Sequence, residues 1–328
     1  MKNIEKIEIS SRTIIFTVLF LILLKLLWMA RDVLFSLFIA FIVMSAVKPA
    51  VTKLKKIGIP NFFAVLIVFL SFLSLIIYGL YWFLPPFISE VIVFIKILPQ
   101  NLEKLLPNIN DFINFSYVTR YLPDITNQFF NLIKNVFSNA VFLISTIFFS
   151  FYFTLEEDFI KKFLVVFFEE KKAQQAVVIF EKIEKRLQSW FWGELILMMI
   201  VGVLTYIGLN LIGIKHALFL AVIAGLLEVV PNIGPVLSTI PALIVALGQS
   251  YFLGLSVLAL YFIVQQLENN LIVPVVMKNA VGLNPIITLV ALLIGGRVGG
   301  ALGVLLAIPL TLFIETLILE IIKNQSKT

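Results

Sequence analysis

The 328-residue chain is 61% hydrophobic and only 13% charged, and its mean hydropathy is +1.07. A soluble domain of this length is about half apolar and about a quarter charged. One water-soluble core cannot enclose so much apolar surface, so the composition excludes an ordinary soluble domain. It predicts a protein embedded in the lipid bilayer.

The residue inventory also excludes several kinds of chemistry. The chain has no Cys and a single His, His216, which excludes disulfides, thiolate nucleophiles, a Ser-His-Asp triad and a His-rich metal cage within one chain. The net charge of +6 is explained by Lys and Arg at helix ends rather than by nucleic-acid binding. We therefore predict neither an enzyme nor a nucleic-acid-binding protein, and we expect no cofactor and no metal.

Apolar runs alternate with short connectors through the first half of the chain, at residues 13–30, 33–47, 62–84 and 140–155. The first run follows a basic start and resembles a signal peptide. However, Lys25 interrupts it and no small-residue cleavage site follows, so we predict an uncleaved membrane helix.

Basic residues and prolines divide this half into segments. Lys48, Lys53, Lys55 and Lys56 predict a basic connector after the second run, and Pro85-Pro86 predicts the end of the third helix. The chain then becomes amphipathic and rich in Asn, which is typical of short interfacial helices. The predicted segments are membrane helices in 1–84, an amphipathic extracytoplasmic helical segment in 85–137 and a membrane helix in 138–155.

The stretch 156–190 is the most polar part of the chain, and its apolar and charged residues separate onto two helical faces. This pattern predicts a cytoplasmic amphipathic helix at the membrane surface, or alternatively a helix that binds a partner. The bias of Lys and Arg places the N-terminus on the same, cytoplasmic side. The apolar face contains Ile179, Ile183, Leu187 and Trp190, and the charged face contains Glu181, Lys182, Glu184, Lys185 and Arg186.

Residues 191–328 contain the longest apolar runs, and the first interruption is the sequence EVVPNIGP at 228–235. Its two prolines, Pro231 and Pro235, lack an N–H donor, and Gly234 permits unusual backbone angles. Lipid tolerates such a break only where it is buried or lines an aqueous cavity, and transporters often place substrate or ion sites there.

Polar side chains accompany this break. Glu228 and Asn232 are four residues apart, so they share a face if the first half-helix persists that far. The next interruption, QQLENN, places Gln265, Glu268 and Asn269 on one stripe, followed by Asn270 and by Pro274, which frees the carbonyl of Asn270.

The third interruption is the Gly-rich sequence GGRVGG at 295–300, which includes Arg297. Upstream, Asn284 is suited to cap a helix that begins at Pro285. The runs 217–245 and 283–313 share a layout of apolar half, Gly-containing break and apolar half. Two re-entrant hairpins would produce this weak repeat, and so would two pairs of bent membrane helices.

Ionisable residues within the C-terminal runs require a partner or water, because a charge at mid-membrane is costly. For Glu228, Glu268 and Arg297 we favour a buried functional or gating role, and the alternative is a structural ion pair between two hairpins. Glu194 and Glu320 are instead expected at helix ends near the interface.

The sequence resembles the AI-2E family of bacterial transporters. The resemblance is based on EVVPNIGP, on STIPALIVAL at 238–247, on QQLENNLIVPVVM at 265–277 and on AIPL at 307–310. It implies export of an autoinducer-2-like signal or sodium/proton antiport, a bacterial cytoplasmic membrane location, and a homo-oligomer such as a pentamer. It also implies that the pathway includes Glu228, Pro231, Asn232, Gly234, Pro235, Glu268, Asn269, Asn270 and Pro274.

The sequence therefore predicts an all-α polytopic membrane protein with about seven or eight membrane helices and broken or re-entrant hairpins in its C-terminal half. Three functions remain open. The leading hypothesis is a secondary transporter of a small polar solute. Its energy is expected to come from a gradient, because no GxxxxGK[ST] motif is present. The others are a sodium/proton antiporter that uses Glu228 and Glu268, and a membrane scaffold that gathers partners without transport. The predicted pathway also includes Gln265, Asn284 and Arg297.

Overall fold

The computed structural model describes residues 11–105, 140–156, 159–167, 169–278 and 283–325. Within these ranges all regular structure is helical and no strand is present. Six of the described helices are long and apolar enough to cross a membrane, and shorter apolar helices accompany them. The prediction of an all-α polytopic fold is confirmed.

The N-terminal half supplies five helices: α1 Ser11–Met29, α2 Arg31–Lys56, α3 Asn61–Leu105, α4 Ala140–Leu155 and α5 Phe159–Phe167. Helix α1 is exposed along its length, whereas α2 packs closely on α4. Small hydroxyl side chains line that contact, and Ser36 Oγ lies 2.8 Å from Thr146 Oγ1. Small polar residues allow two membrane helices to approach and hydrogen-bond directly.

Two predicted helix boundaries in this half are wrong. The predicted basic connector belongs to α2, which continues to Lys56 through Pro49. Helix α3 continues through Pro85-Pro86 to Leu105, because each proline removes only its own N–H donor and the remaining backbone bonds hold the helix. The hydroxyl of Ser89 also donates to the carbonyl of Pro86 at 2.7 Å. The rest of the predicted 85–137 segment, residues 106–137, lies outside the described residues.

Helix α6, Glu170–Ile212, joins the predicted amphipathic stretch to the following apolar run without interruption. Its 43 residues extend for about 64 Å, roughly twice the thickness of the hydrocarbon core. The predicted apolar face is confirmed, because Ile179, Ile183, Leu187 and Trp190 are buried in one cluster with residues of α2 and of the C-terminal helix.

The charged face of α6 forms three ion pairs with neighbouring helices. Lys48 Nζ lies 2.7 Å from Glu184 Oε2, and Lys182 and Arg186 pair with Glu320 and Glu315, each at 2.5 Å. We call this part of the bundle the charged end. The pairs connect α2 and the C-terminal helix to α6, so they orient three elements around one axis.

Two short helices form the first hairpin of the C-terminal half. Helix α7, Ala217–Leu227, has 11 residues and a length of about 16 Å, so it cannot cross a hydrocarbon core of roughly 30 Å. Helix α8, Ile233–Gln249, follows after a five-residue turn and packs back against α7. The pair is a re-entrant hairpin enclosed by α3, α6 and the next helix.

The chain continues through helix α9, Tyr251–Leu267, a π-helical turn, Glu268–Ile272, and a single helical turn α10, Val273–Val276. Helix α11, Pro285–Gln325, reverses direction at Gly300, where φ is 58° and ψ is −137°. Its two arms touch through Gly295 and Gly303. The prediction of broken or re-entrant helical hairpins in this half is confirmed.

Gly303→Ala tests the reversal in α11. A Cβ at Gly303 would lie 1.9 Å from the carbonyl oxygen of Gly295, so the two arms must separate. Overpacking of this kind costs about 1–3 kcal/mol, and we expect a lower thermal unfolding midpoint for the detergent-solubilised protein. Gly79→Ala is the matched control, because its Cβ meets no atom within 4 Å. Equal midpoints for the two variants would show that the arms do not meet.

Candidate functional site

The turn between α7 and α8 places Glu228 inside the bundle. Glu228 directly follows α7, its N–H donates to the carbonyl of Ala224 at 3.2 Å, and its side chain is 3% exposed. Asn232 adopts a φ of 65°, and a Cβ at Gly234 would lie 1.9 Å from the carbonyl oxygen of Leu227. Only glycine permits this close return of the chain, so the motif residue Gly234 closes the turn that positions Glu228.

The π-helical turn after α9 places Glu268 on the same side of the bundle. Buried residues of α9 recur at helical spacing, at Val257, Tyr261 and Val264, and Glu268 continues this face with 6% exposure. The N–H of Val273 donates to the carbonyl of Glu268, five residues back. Pro274 cannot donate to the helix, so the wider turn begins where a regular ladder would lose a bond.

A third carboxyl group, Glu194 of α6, lies in the same region and is 6% exposed. The expectation that Glu194 lies at a helix end is wrong, because α6 continues to Ile212. The adjacent Gly193 faces α10, and a Cβ there would lie 2.6 Å from Met277 Sδ. An acidic residue beside a glycine within an apolar run was the available sequence signal.

The three carboxyl groups interact with one another. The side chains of Glu228 and Glu268 are close neighbours, the charge of Glu194 acts on Glu228, and the charge of Glu268 acts on Glu194. Ionised carboxylates only accept hydrogen bonds, so a bond between two of them requires a proton. Glu228 Oε2 and Glu268 Oε2 are buried and have no hydrogen-bond partner in the described structure.

No Lys, Arg or His in the described ranges forms an ion pair with this carboxyl cluster, which consists of Glu194, Glu228 and Glu268. Burying carboxylates without a compensating charge costs several kcal/mol each. The described part of the chain also contains no group of His, Asp and Glu arranged to hold a metal ion. The cluster is therefore suited to exchange a proton or a monovalent cation.

The other predicted pathway residues lie around the cluster rather than within it. Asn232 and Glu228 do not share a face, because α7 ends at Leu227. Asn284 caps α11, as predicted, and its Oδ1 accepts from the N–H of Ile286 at 2.9 Å. Gly234 and Pro235 are buried, Pro231 and Gln265 are half-buried, and Asn232, Asn269, Asn270, Pro274, Asn284 and Arg297 are exposed.

Arg297 does not join the carboxyl groups. It lies near the reversal of α11 and forms no ion pair with any residue that the structure describes. The alternative of a structural ion pair between Arg297 and Glu228 or Glu268 is therefore wrong. Its exposed side chain is available to water or lipid headgroups at the tip of the hairpin.

A separate aromatic cavity of about 400 Å³ lies at the charged end. Its walls include Phe38, Phe41, Phe180 and Phe313, and the Lys48–Glu184 ion pair lies at its edge. Sequence patterns did not indicate this cavity, because α2, α4, α5, α6 and α11 each contribute part of the wall.

Comparison with known families agrees with this architecture. The sequence model of the AI-2E family transporter matches residues 14–323. The chain belongs to the AI-2E transporter family. "Putative transport protein YueF" of Bacillus subtilis (strain 168) is 27% identical over 312 residues, which cover 88% of this chain and 84% of YueF. "Putative transport protein YrrI" of the same organism is 22% identical over 339 residues, with 96% and 95% coverage.

A shorter match has a higher identity. "Putative transport protein YhhT" of Escherichia coli (strain K12) is 39% identical over 111 residues, or 34% of this chain and 32% of YhhT. The AI-2E membership and the apolar helices together establish a multi-pass bacterial membrane transporter.

A double-mutant cycle tests whether Glu228 and Glu268 interact in this AI-2E protein. We expect the effects of Glu228→Gln and Glu268→Gln on unfolding free energy to be non-additive by about 0.5–3 kcal/mol, because the two buried carboxyl groups are neighbours that interact electrostatically. Thermal or denaturant unfolding in detergent supplies the measurement. Glu228→Gln combined with Glu181→Gln is the control, because Glu181 is exposed on α6. Additive effects in both pairs would place the two carboxyl groups apart.

Proposed function

We propose that this protein is a proton-coupled secondary transporter in which Glu228 and Glu268 share the coupling proton. The observation that carries the proposal is their mutual contact, buried without a counter-cation among the described residues. Intramembrane carboxyl groups of this kind are typical of proton-relay and ion-exchange sites. An ion gradient supplies the energy for the proposed transport, because the sequence has no Walker-type phosphate-binding motif for ATP.

The two carboxyl groups belong to elements that can move separately. Glu228 lies on the turn of the α7–α8 hairpin, and Glu268 lies on the π-helical turn after α9. With one shared proton, the pair is held together by a hydrogen bond. When that proton leaves, repulsion between two carboxylates favours separation of the hairpin from α9. Such gating of a broken helix around a fixed site is a general mode of alternating access.

The proposed cargo is sodium, exchanged for the proton. Carboxylate oxygens and the main-chain carbonyls freed at the break are suitable ligands for a small hard cation. The carboxyl cluster offers oxygen atoms alone, and Glu228 Oε2 and Glu268 Oε2 lack a partner in the described structure. The cluster therefore supports sodium/proton antiport without a further binding group.

Export of a small polar solute, such as an autoinducer-2-like signal, is the second candidate. The amide side chains of Asn232, Asn269 and Asn270 are exposed beside the two breaks and could hydrogen-bond to such a solute as the hairpin moves. In this alternative the same carboxyl pair would couple solute export to proton entry. The location of the amides outside the buried cluster favours sodium as the primary cargo.

The proposed setting is the bacterial cytoplasmic membrane with the N-terminus and the charged end on the cytoplasmic side. The Lys and Arg residues around Lys48 and Arg186 support this orientation through the positive-inside rule. A homo-oligomer is also proposed, because α1 is exposed along its length and can pack against a second copy as well as lipid.

Flux through reconstituted vesicles tests the proposed function. Proteoliposomes with the purified protein should exchange external sodium for internal protons, and Glu228→Gln and Glu268→Gln should each reduce the rate by at least about tenfold, equivalent to about 1.4 kcal/mol. Glu181→Gln, which alters an exposed carboxyl group on α6, should retain wild-type flux. A parallel assay replaces sodium with autoinducer-2.

The outcomes separate the two cargoes. Sodium exchange that depends on both carboxyl groups supports antiport, and autoinducer-2 movement with the same dependence supports export. Wild-type vesicles that behave like empty vesicles with both cargoes would overturn the proposed function. Full flux in both Gln variants would remove the carboxyl pair from the coupling step.

A further inference from the structure

Thr205 is an exception among the hydroxyl side chains of the membrane helices. Thr205 is 1% exposed, and its Oγ1 has no hydrogen-bond partner. Many other helical Ser and Thr residues donate to the carbonyl four residues earlier, including Ser45, Thr52, Thr146, Ser150, Thr154, Thr239, Ser256, Thr311 and Thr316. The Thr205 hydroxyl is therefore held away from the usual local acceptor.

Tyr261 has the same property on the facing helix. Its ring is buried, with 8% exposure, and its hydroxyl oxygen has no hydrogen-bond partner. Tyr261 lies two helical turns before Glu268 on the buried face of α9, which corresponds to about 10 Å along the helix axis. Leaving a buried hydroxyl without a partner costs about 1–3 kcal/mol.

Two contacts place Thr205 and Tyr261 in the same interface. A Cβ at Gly193 would meet Met277, and a Cβ at Gly208 would meet Leu260 at 2.2 Å. The end of α6 therefore approaches the middle of α9, and the helices are antiparallel. Thr205 lies one turn before Gly208, about 4.5 Å along the axis, and Tyr261 adjoins Leu260.

The surrounding side chains are apolar. Val201 and Leu209, which share the buried face of α6 with Thr205, belong to one core cluster with Tyr261. That cluster also contains Val257 and Val264 on either side of Tyr261. Thr205 and Tyr261 thus supply hydroxyl groups to an otherwise hydrophobic interface, beyond the carboxyl cluster when viewed from the charged end.

The far end of this interface carries another polar contact. Helix α6 ends at Ile212, and His216 Nδ1 lies 2.5 Å from Glu90 Oε2 of α3 at the start of α7. The His216 side chain is partly exposed. Polar groups therefore occur at successive levels along α6: Glu194 with its two partners, then Thr205 and Tyr261, then the pair at the end of the helix.

We propose that Thr205 and Tyr261 form the outer leg of a proton path that connects the carboxyl cluster to the His216 end of the bundle. The inference rests on the proposed function, because the carboxyl pair is the source or acceptor of the proton. It adds two residues outside the sequence motifs and gives the proton a route to the side opposite the charged end.

A hydroxyl group is suited to this role because it both accepts and donates. A proton that reaches the hydroxyl oxygen is matched by release of the original hydroxyl proton on the other side, so the side chain returns to neutrality. Rotation of the O–H bond then restores the starting orientation. Water that enters transiently completes the transfer between successive groups, as in other intramembrane relays.

Proton flux in proteoliposomes, followed with an internal pH-sensitive dye, tests the path. Thr205→Val and Tyr261→Phe should each reduce proton flux by at least about tenfold, whereas Thr205→Ser, which retains the hydroxyl, should preserve most of it. Equilibrium sodium binding should change little in all three variants, because the carboxyl cluster is intact. A purely packing role would not produce rescue by Ser, which is smaller than Val.

Matched controls come from neighbouring positions. Thr311→Val removes a hydroxyl that donates to the carbonyl of Ala307 at 2.7 Å, and Tyr206→Phe alters a tyrosine that is 38% exposed beside Thr205. Both should retain wild-type flux. If Thr205→Val does not yield folded protein, Thr205→Ala removes the same hydroxyl without adding a branched side chain.

The results distinguish this inference from the proposed function. Wild-type proton flux in Thr205→Val and Tyr261→Phe, together with its loss in Glu268→Gln, would overturn the path and leave the carboxyl pair in place. Loss of sodium binding in the hydroxyl variants would also overturn it, by assigning these residues to cargo. Absence of proton flux in the wild type would refute the proposed function and the path together.

Discussion

The requirement that polar groups in a dry environment find partners within the protein governs this structure. Helices satisfy it for the backbone along their length, and the small hydroxyl residues of α2 and α4 satisfy it through local and interhelical bonds. At the charged end, three ion pairs satisfy it for the charged face of α6. In the carboxyl cluster the requirement is not fully met, because Glu228 Oε2 and Glu268 Oε2 are buried without a hydrogen-bond partner in the described structure.

Two interruptions of regular helix create that exception. The turn closed by Gly234 leaves Glu228 pointing inward at the end of α7, and the π-helical turn keeps Glu268 on the buried face of α9. Glu194 joins them from the uninterrupted α6. A continuous helix thus presents one acidic group to two others carried by turns between helices, and the proposed proton coupling rests on this arrangement.

Much of this organisation was accessible from sequence patterns, but the errors have a common cause. Gly234, Pro231 and Pro274 indicated breaks because their effects on the backbone are local. Pro85-Pro86 gave the same local signal, yet α3 continues. Whether a proline ends or only perturbs a helix depends on the packing around it. Asn232 was grouped with Glu228 by its helical spacing, and Arg297 was grouped with the acidic residues because it lies in an apolar run. Both side chains are exposed, whereas Glu228 and Glu268 are buried.

Sequence patterns alone are enough to predict that the chain is a helical membrane protein, where its C-terminal helices break, and which acidic residues lie in apolar runs. Composition and helical period set those properties residue by residue. The packing of the bundle is needed to show that Glu194 joins Glu228 and Glu268, and that Thr205 and Tyr261 lie on the buried faces of two neighbouring helices. Those residues come from helices far apart in the chain, and which helices become neighbours depends on the packing of the whole bundle.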